Sequence, residues 1–195
     1  MTASASNPAA RLADLLDRLG RYLRGREHSS GLNPAQWEAL RYLVKANRYS
    51  RNPSALTDFL GSTKGTVSQT LIALETKGLV TRDVDPADRR QVRLGLTGRG
   101  RVQLAEDPLL ELVAAASALD AATQRKAADA LAELLRGLQR RHGRKTFDVC
   151  RSCRFLLRND APGARGGPHR CGLTREPLSD ADTDQICVEQ EPQAA

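Results

Sequence analysis

Aromatic side chains make up only 4% of this 195-residue chain, with one Trp, three Tyr and three Phe. A core short of large rings must rest on Leu, Val and Ala, which suits helices. Long apolar runs are also missing: no stretch approaches 18 apolar residues, so no membrane span is expected. The first residues, Met1-Thr2-Ala3-Ser4-Ala5-Ser6, have neither a basic n-region nor an apolar h-region, so a cytoplasmic rather than exported protein is expected. Cysteine is limited to four residues. Without an export signal, four cysteines point to metal or redox chemistry more than to a disulfide scaffold. No Walker loop, paired-carboxylate site or Ser/His/Asp arrangement stands out, so the chain is not expected to be an enzyme.

The length allows one substantial core, or a core plus a small appendage. Composition is that of a soluble globular protein, at 40% hydrophobic and 27% charged residues. The net charge of +7 is uneven. Residues 148–195 hold six Arg against eight Asp and Glu, a net of −2, which leaves +9 on residues 1–147. A phosphate-binding surface requires such a local excess.

Leu12, Leu15, Leu16, Leu19 and Leu23 recur at helical spacing and predict an amphipathic helix over about 8–26. Asn33-Pro34, with Gln36 at the capping-box position, starts a second helix whose inward stripe reads Trp37, Leu40, Leu43 and Val44. Asn52-Pro53 repeats that start signal. Thr97 can cap a further helix, Pro108 should restart it, and a long helix from Asp120 carries Leu131, Leu134, Leu135 and Leu138 on one face. An arm of about 40 helical residues has little to bury against in its own chain, so its stripe and that of the first helix predict a homodimer.

Residues 54–100 read as one continuous winged helix-turn-helix. The helix Ser54–Leu60 ends on Gly61, and a second begins at Thr63 and closes at Lys77-Gly78. The strand Leu79-Val80-Thr81-Arg82 follows, then the charged turn Asp85-Pro86-Ala87-Asp88-Arg89-Arg90, then a return strand in which Val92, Leu94 and Leu96 alternate. Such a block presents one helix to a major groove and a basic finger to the neighbouring minor groove. With Val67, Leu71 and Leu74 turned inward, Lys64, Thr66, Ser68 and Gln69 face outward. Lys64 suits phosphate or a guanine edge, Gln69 suits adenine, and the hydroxyls suit phosphate or thymine. Gly65 permits close backbone approach, and Arg82 is expected at a phosphate. In the wing, Asp88 lies two residues before Arg90 and can orient its guanidinium in a narrow minor groove, with Arg89 alongside.

Over about residues 8–142 the chain resembles the MarR family of transcriptional regulators. The resemblance rests on Leu60-Gly61, the run Leu74-Glu75-Thr76-Lys77-Gly78-Leu79-Val80-Thr81-Arg82, the wing 85–90, and Leu96-Thr97-Gly98-Arg99-Gly100. It implies a homodimer with interlocking first and last helices, binding a pseudo-palindromic double-stranded DNA operator, usually as a repressor. It further implies Arg90 as the minor-groove arginine and Asp88 as its orienting partner. Many members release DNA in response to a small-molecule effector or an oxidant.

Residues 143–195 have no counterpart in that pattern. Asp160 to Pro168 fits neither helix nor strand, and a segment so poor in apolar residues needs a staple. All four cysteines lie here, as Cys150-x2-Cys153-x17-Cys171-x15-Cys187. Structural zinc sites usually show a second tight pair. The lone third and fourth cysteines suit a [4Fe–4S] cluster, whose corners take dispersed ligands. Zinc and a thiol–disulfide switch are the alternatives. Arg151, Arg154 and Arg158 can offset cluster charge, and His169 is a surface side chain, a substitute ligand or a hydrogen-bond donor to a cysteine sulfur.

The expected architecture is therefore mainly α with a small β-wing. Residues 1–142 form the winged helix-turn-helix with N- and C-terminal dimerisation helices, and 143–195 form an irregular, metal-stapled extension. The expected function is a DNA-binding regulator whose cluster answers redox state, oxygen or iron by reordering the tail beside the dimerisation helices, so changing the half-site spacing. The rivals are a ligand-responsive regulator with a structural zinc, a winged helix used for protein contact, and a thiol-disulfide enzyme using Cys150 and Cys153. The last would need a βαβ setting and a lowered thiolate pKa.

Overall fold

The computed structural model describes residues 7–29, 31–84, 92–160, 163 and 165–193. The amphipathic first segment is helix α1, Pro8–Ser29. Helix α2, Pro34–Lys45, starts where its signals place it: the Asn33 side chain accepts from the Gln36 amide, and Gln36 reaches back to the Asn33 amide, a complete capping box. Helix α3, Pro53–Leu60, is capped by Asn52, whose side chain accepts from the Ala55 amide, and ends on Gly61. Gly61 has φ +58°, the left-handed cap that a Cβ disfavours.

Helix α4, Lys64–Thr76, is capped by Thr63. Strands β1, Val80–Val84, and β2, Val92–Leu96, pair antiparallel with Val80 opposite Leu96 and Arg82 opposite Leu94. Thr97 caps α5, Gly98–Leu104, by accepting from the Gly100 amide. A Cβ at Gly100 would stand 2.1 Å from the Leu79 carbonyl oxygen, so the helix can approach the wing only through glycine. Helix α6 runs Leu109–Ser117 after Pro108, and α7, Ala121–Arg141, is capped by Asp120.

The core joins Trp37, Leu40 and Leu43 of α2 to Leu56 of α3, Val67, Leu71 and Leu74 of α4, and Leu79, Val80 and Leu94 around the wing. Val44 is not part of the inward stripe. It is 44% exposed, while Ala39, Tyr42 and Ala46 are fully buried. The cause is tertiary: Tyr42 stacks with Phe59 at 4.8 Å and meets Phe147 at 6.2 Å, which draws the buried arc of α2 toward the C-terminal segment. Arg41 ties α1 to the start of α6, bonding Glu27 at 2.6 Å and Asp107 at 2.7 Å in a nearly buried triad.

The long arm behaves as its pattern predicts. Helices α6 and α7 contain no buried residue, and Leu131, Leu134, Leu135 and Leu138 lie open, as do Leu12, Leu15 and Leu19 on α1.

The C-terminal segment is more ordered than an irregular extension. A 3-10 turn at Cys150–Ser152 leads to a three-stranded antiparallel sheet of β3, Leu156–Leu157, β4, His169–Cys171, and β5, Pro177–Leu178, followed by the short helix α8, Asp180–Thr183. Ser179 and Asp182 form a capping box at α8. Nor does the segment lack burial. Phe147 and Val188 belong to the winged-helix core, with Ile186 packed against it. Apolar residues few in number are enough when the neighbouring body supplies the other half of the contact.

Candidate nucleic-acid interface and cysteine cavity

Helix α4 turns Val67, Leu71 and Leu74 into the core and leaves Lys64, Thr66, Ser68 and Gln69 exposed, as expected. Thr66 is partly committed to its own helix, since its hydroxyl lies 2.9 Å from that of Thr63 and its amide donates to Thr63 Oγ1 at 3.2 Å. Lys64 and Ser68 line a broad groove with Arg82. Arg48, Arg51 and Arg93 line the same groove, together with the hydroxyls of Ser54 and Thr57. Five cationic side chains around one concave face make a phosphate-binding surface.

Arg82 is less free than a phosphate contact implies. Its guanidinium lies 3.7 Å from Glu75 of α4, and its buried Nε has no hydrogen-bond partner among the described residues. Asp88, Arg89 and Arg90 lie outside the described residues. Arg48 and Arg51 were not singled out from sequence. They sit in the turn between α2 and α3, where only the folded chain brings them beside α4.

The four cysteines, spread over 38 positions of sequence, all line one cavity. Its walls are otherwise mainly apolar, with Phe155, Leu156, Leu173 and Leu178, and Tyr49 closes one side. Cys150, Cys153 and Cys187 are buried, Cys171 is half-buried, and all four thiols are free. Short elements deliver them: the 3-10 turn carries the Cys150–Cys153 pair, and the sheet sets Cys171 opposite Leu156. Cys187 is held by its amide, which donates to the Asp148 carbonyl at 3.1 Å. Cys150 and Cys187 share a hydrogen bond, which holds the Cys187 thiol below the usual range and, together with burial, pushes Cys150 above it. Among the described residues no three His, Cys, Asp or Glu side chains are grouped closely enough to hold a single metal ion.

His169 is neither a surface side chain nor part of the cavity wall. It is buried, its Nδ1 accepts from the Asn159 amide at 3.2 Å, and its Nε2 lies 3.0 Å from Asp180 Oδ1. Both ring nitrogens serve the fold. Arg151 and Arg154 face outward onto Asp184 and Glu191, and Arg158 donates to the Arg151 carbonyl, so two of the three cations are already paired. The antiparallel sheet around Cys150 and Cys153 is not the βαβ setting that a thiol-disulfide enzyme would need.

The tail does not lie against helix α7 alone. Gln139 of α7 donates to the Thr146 carbonyl at 3.3 Å, and Arg136 lies 3.9 Å from Asp148. Closer bonds run from the segment around Cys187 to residues 45–50: the Ile186 amide donates to the Lys45 carbonyl at 2.9 Å, and the Asn47 amide to the Ile186 carbonyl at 2.9 Å.

Residues 30–91 match the model of the MarR family. Among solved structures, the transcriptional repressor CouR bound to a 23-mer DNA duplex is 28% identical, with a TM-score of 0.54 over 71% of this chain and 96% of that one. CouR from Rhodococcus jostii RHA1 bound to p-coumaroyl-CoA is 19% identical, with a TM-score of 0.53 over 69% and 95%. A complex of S. aureus MepR with DNA is 21% identical, with a TM-score of 0.53 over 68% and 97%. No curated protein matches the chain. Capped α3, exposed α4 and the paired wing strands form a winged helix-turn-helix, in agreement with the match of this stretch to the MarR family model.

Proposed function

We propose that this protein is a homodimeric, sequence-specific DNA-binding transcription regulator, acting as a repressor, whose C-terminal cysteines hold a [4Fe–4S] cluster that reports redox state, oxygen or iron. The observation that carries the DNA part is the groove beside α4, where Lys64 and Ser68 of the exposed helix face meet Arg48, Arg51, Arg82 and Arg93. Lys64, Ser68 and Gln69 read base edges or phosphates, the arginines meet phosphates, and Arg90 with Asp88 enters the minor groove. CouR and MepR, each solved with DNA, support this reading. Dimerisation is supported by the uncovered leucines of α1 and α7, which cannot all stay in water on a folded regulator without cost.

The cluster is supported by the donor set: four thiols on one mainly apolar cavity. A cube of iron and sulfide takes thiolates at separate corners, and an apolar wall limits water access to it. When bound, such a cluster supplies a one-electron redox centre. Cys150, Cys153, Cys171 and Cys187 bind it, while Leu156, Leu178 and Phe155 exclude water.

The test has two arms. Duplexes selected from a random pool should bind with an affinity that falls steeply with salt, and Arg90→Ala should lose most of that binding; unchanged binding in the variant would favour a winged helix used for protein contact. Anaerobically purified protein should be brown with about four irons and four sulfides per chain. One zinc per chain instead would sink the cluster.

A further inference from the structure

The turn between α2 and α3, residues 46–52, belongs to both sites. Tyr49 lines the cysteine cavity on one side and the DNA-facing groove on the other. Asn47, 1% exposed, points its Nδ2 at Cys150 Sγ at 3.9 Å, while its Oδ1 accepts from the Tyr49 amide, the Ser50 amide and the Ser50 hydroxyl at 3.2, 3.0 and 2.8 Å. The residues flanking Cys187 are bonded to the same turn: Ile186 pairs with Ala46, and the Val188 amide donates to Ser50 Oγ at 2.8 Å. Thus Cys150 and Cys187 both bear directly on residues 46–50.

The other end of the turn builds the DNA-facing side. Asn52 donates to the Tyr49 carbonyl at 3.0 Å and caps α3 by accepting from the Ala55 amide at 2.9 Å. The Leu94 amide of wing strand β2 donates to the Arg51 carbonyl at 2.8 Å, and Arg51 Nε returns to the Ala46 carbonyl at 2.9 Å. Arg48 lines the groove, yet its guanidinium donates to the Pro177 carbonyl at 2.7 Å and pairs with Glu176 at 3.0 Å. Tyr49 donates to Glu176 at 2.9 Å and accepts from Thr174 at 3.2 Å. One seven-residue turn therefore carries a thiol contact, a helix cap, a wing anchor and a groove cation.

We infer that the cysteine centre controls DNA binding within its own protomer, through this turn, and that the loaded centre holds the turn in its DNA-binding arrangement. The inference rests on the metal-centre reading above and replaces a route through the spacing of the two recognition helices. With the centre filled, Cys150 and Cys187 are fixed, and Ile186, Val188 and Asn47 fix the turn with them. With it empty, the 186–188 segment and the Asn47 network are released, and the α3 cap and the β2 anchor loosen together. Coupling of this kind needs a contiguous set of bonds between the sites, and each link here is a named hydrogen bond or a shared wall.

The experiment is hydrogen exchange on full-length protein, loaded and then emptied anaerobically with a chelator, alongside affinity for a duplex selected from a random pool. Emptying should strip protection from the amides of Asn47 and Ser50 and from the first turn of α3, leave the middle of α7 unchanged, and weaken DNA binding at least tenfold. Asn47→Ala should keep its metal but show the unprotected turn and weak binding even when loaded. The milder Tyr49→Phe, which retains the ring and deletes the bonds to Glu176, Thr174 and Arg48, should narrow the difference between the two states if the alanine variant folds poorly. Protection lost only within 150–187, or equal affinity in both states, overturns the coupling while leaving the centre standing. Protein holding neither iron nor zinc overturns both, and zinc in place of iron sinks only the identity of the centre.

Discussion

The winged helix and the cysteine segment reach order by opposite means. In residues 32–100 large apolar side chains carry the fold: Trp37, Leu40, Leu56 and Leu74 are fully buried, and each main helix starts on a side-chain cap. In residues 147–192 the strands are two or three residues long, and order comes from backbone and side-chain bonds across loops, from Phe147, Ile186 and Val188 lodged in the neighbour's core, and from four converging thiols. The difference teaches that burial makes a part stable whatever its ligands, whereas a part held by polar bonds and thiols stays responsive to what the thiols bind.

Four substitutions break or sharpen that contrast. The largest effect belongs to the body: Trp37→Ala should cost about 3–5 kcal/mol and lower the unfolding midpoint of the whole chain. The measurement is denaturant unfolding by far-ultraviolet dichroism, and a cost below 1 kcal/mol would contradict a burial-dominated core.

Next comes Arg41→Ala, which removes the guanidinium shared by the buried Glu27 and Asp107 carboxylates and should cost about 3–5 kcal/mol before relaxation and water entry reduce it. Side-by-side denaturant unfolding of the parent and the variant measures the loss, and a cost below about 1 kcal/mol would show that the triad adds little to the body.

His169→Ala is smaller and local. It deletes the acceptor of the exposed Asn159 amide, a bond of about 0.5–1.5 kcal/mol, and should raise exchange in 156–178 while the helices of the body keep their protection. Spread of the effect into α2 would show that the two parts do not differ as described. Smallest is Glu191→Gln, which removes the exposed partner of Arg154 and should change stability by less than about 1 kcal/mol, with metal content unaltered.

Much of the body was readable from sequence because its signals are local. Asn33, Asn52, Thr63, Thr97 and Asp120 all cap the helices they were expected to start, and Val67, Leu71 and Leu74 point inward as their spacing requires. Val44 misled because helical periodicity locates a stripe only to about one residue, and packing of Tyr42 against Phe59 and Phe147 decided which edge was covered. Strands as short as His169–Cys171 are below the length at which alternation registers. The burial of His169 depends on Asn159, in a loop ten positions back, and on Asp180, at the start of the four-residue α8 eleven positions on, and neither segment carries a periodic pattern. Of the interface, Lys64 and Ser68 were readable from helix phase. Arg48 and Arg51 were not, because they enter the groove from a different turn. The convergence of four cysteines was suggested by the Cys150–Cys153 pair and the two lone cysteines after it, whereas its docking place on residues 45–50 is purely tertiary.

Phe147 gives the segment one more property. It stands at φ +51° with its ring edge-on to Phe59 at 5.3 Å, and it lies ahead of every cysteine. A chain cut after α7 would lose this ring as well as Ile186 and Val188, opening a hole beside Tyr42. Deleting the tail is thus a core mutation in disguise. The two parts must be transplanted together, and a graft onto another winged helix would need a recipient that already offers an aromatic socket beside its second helix.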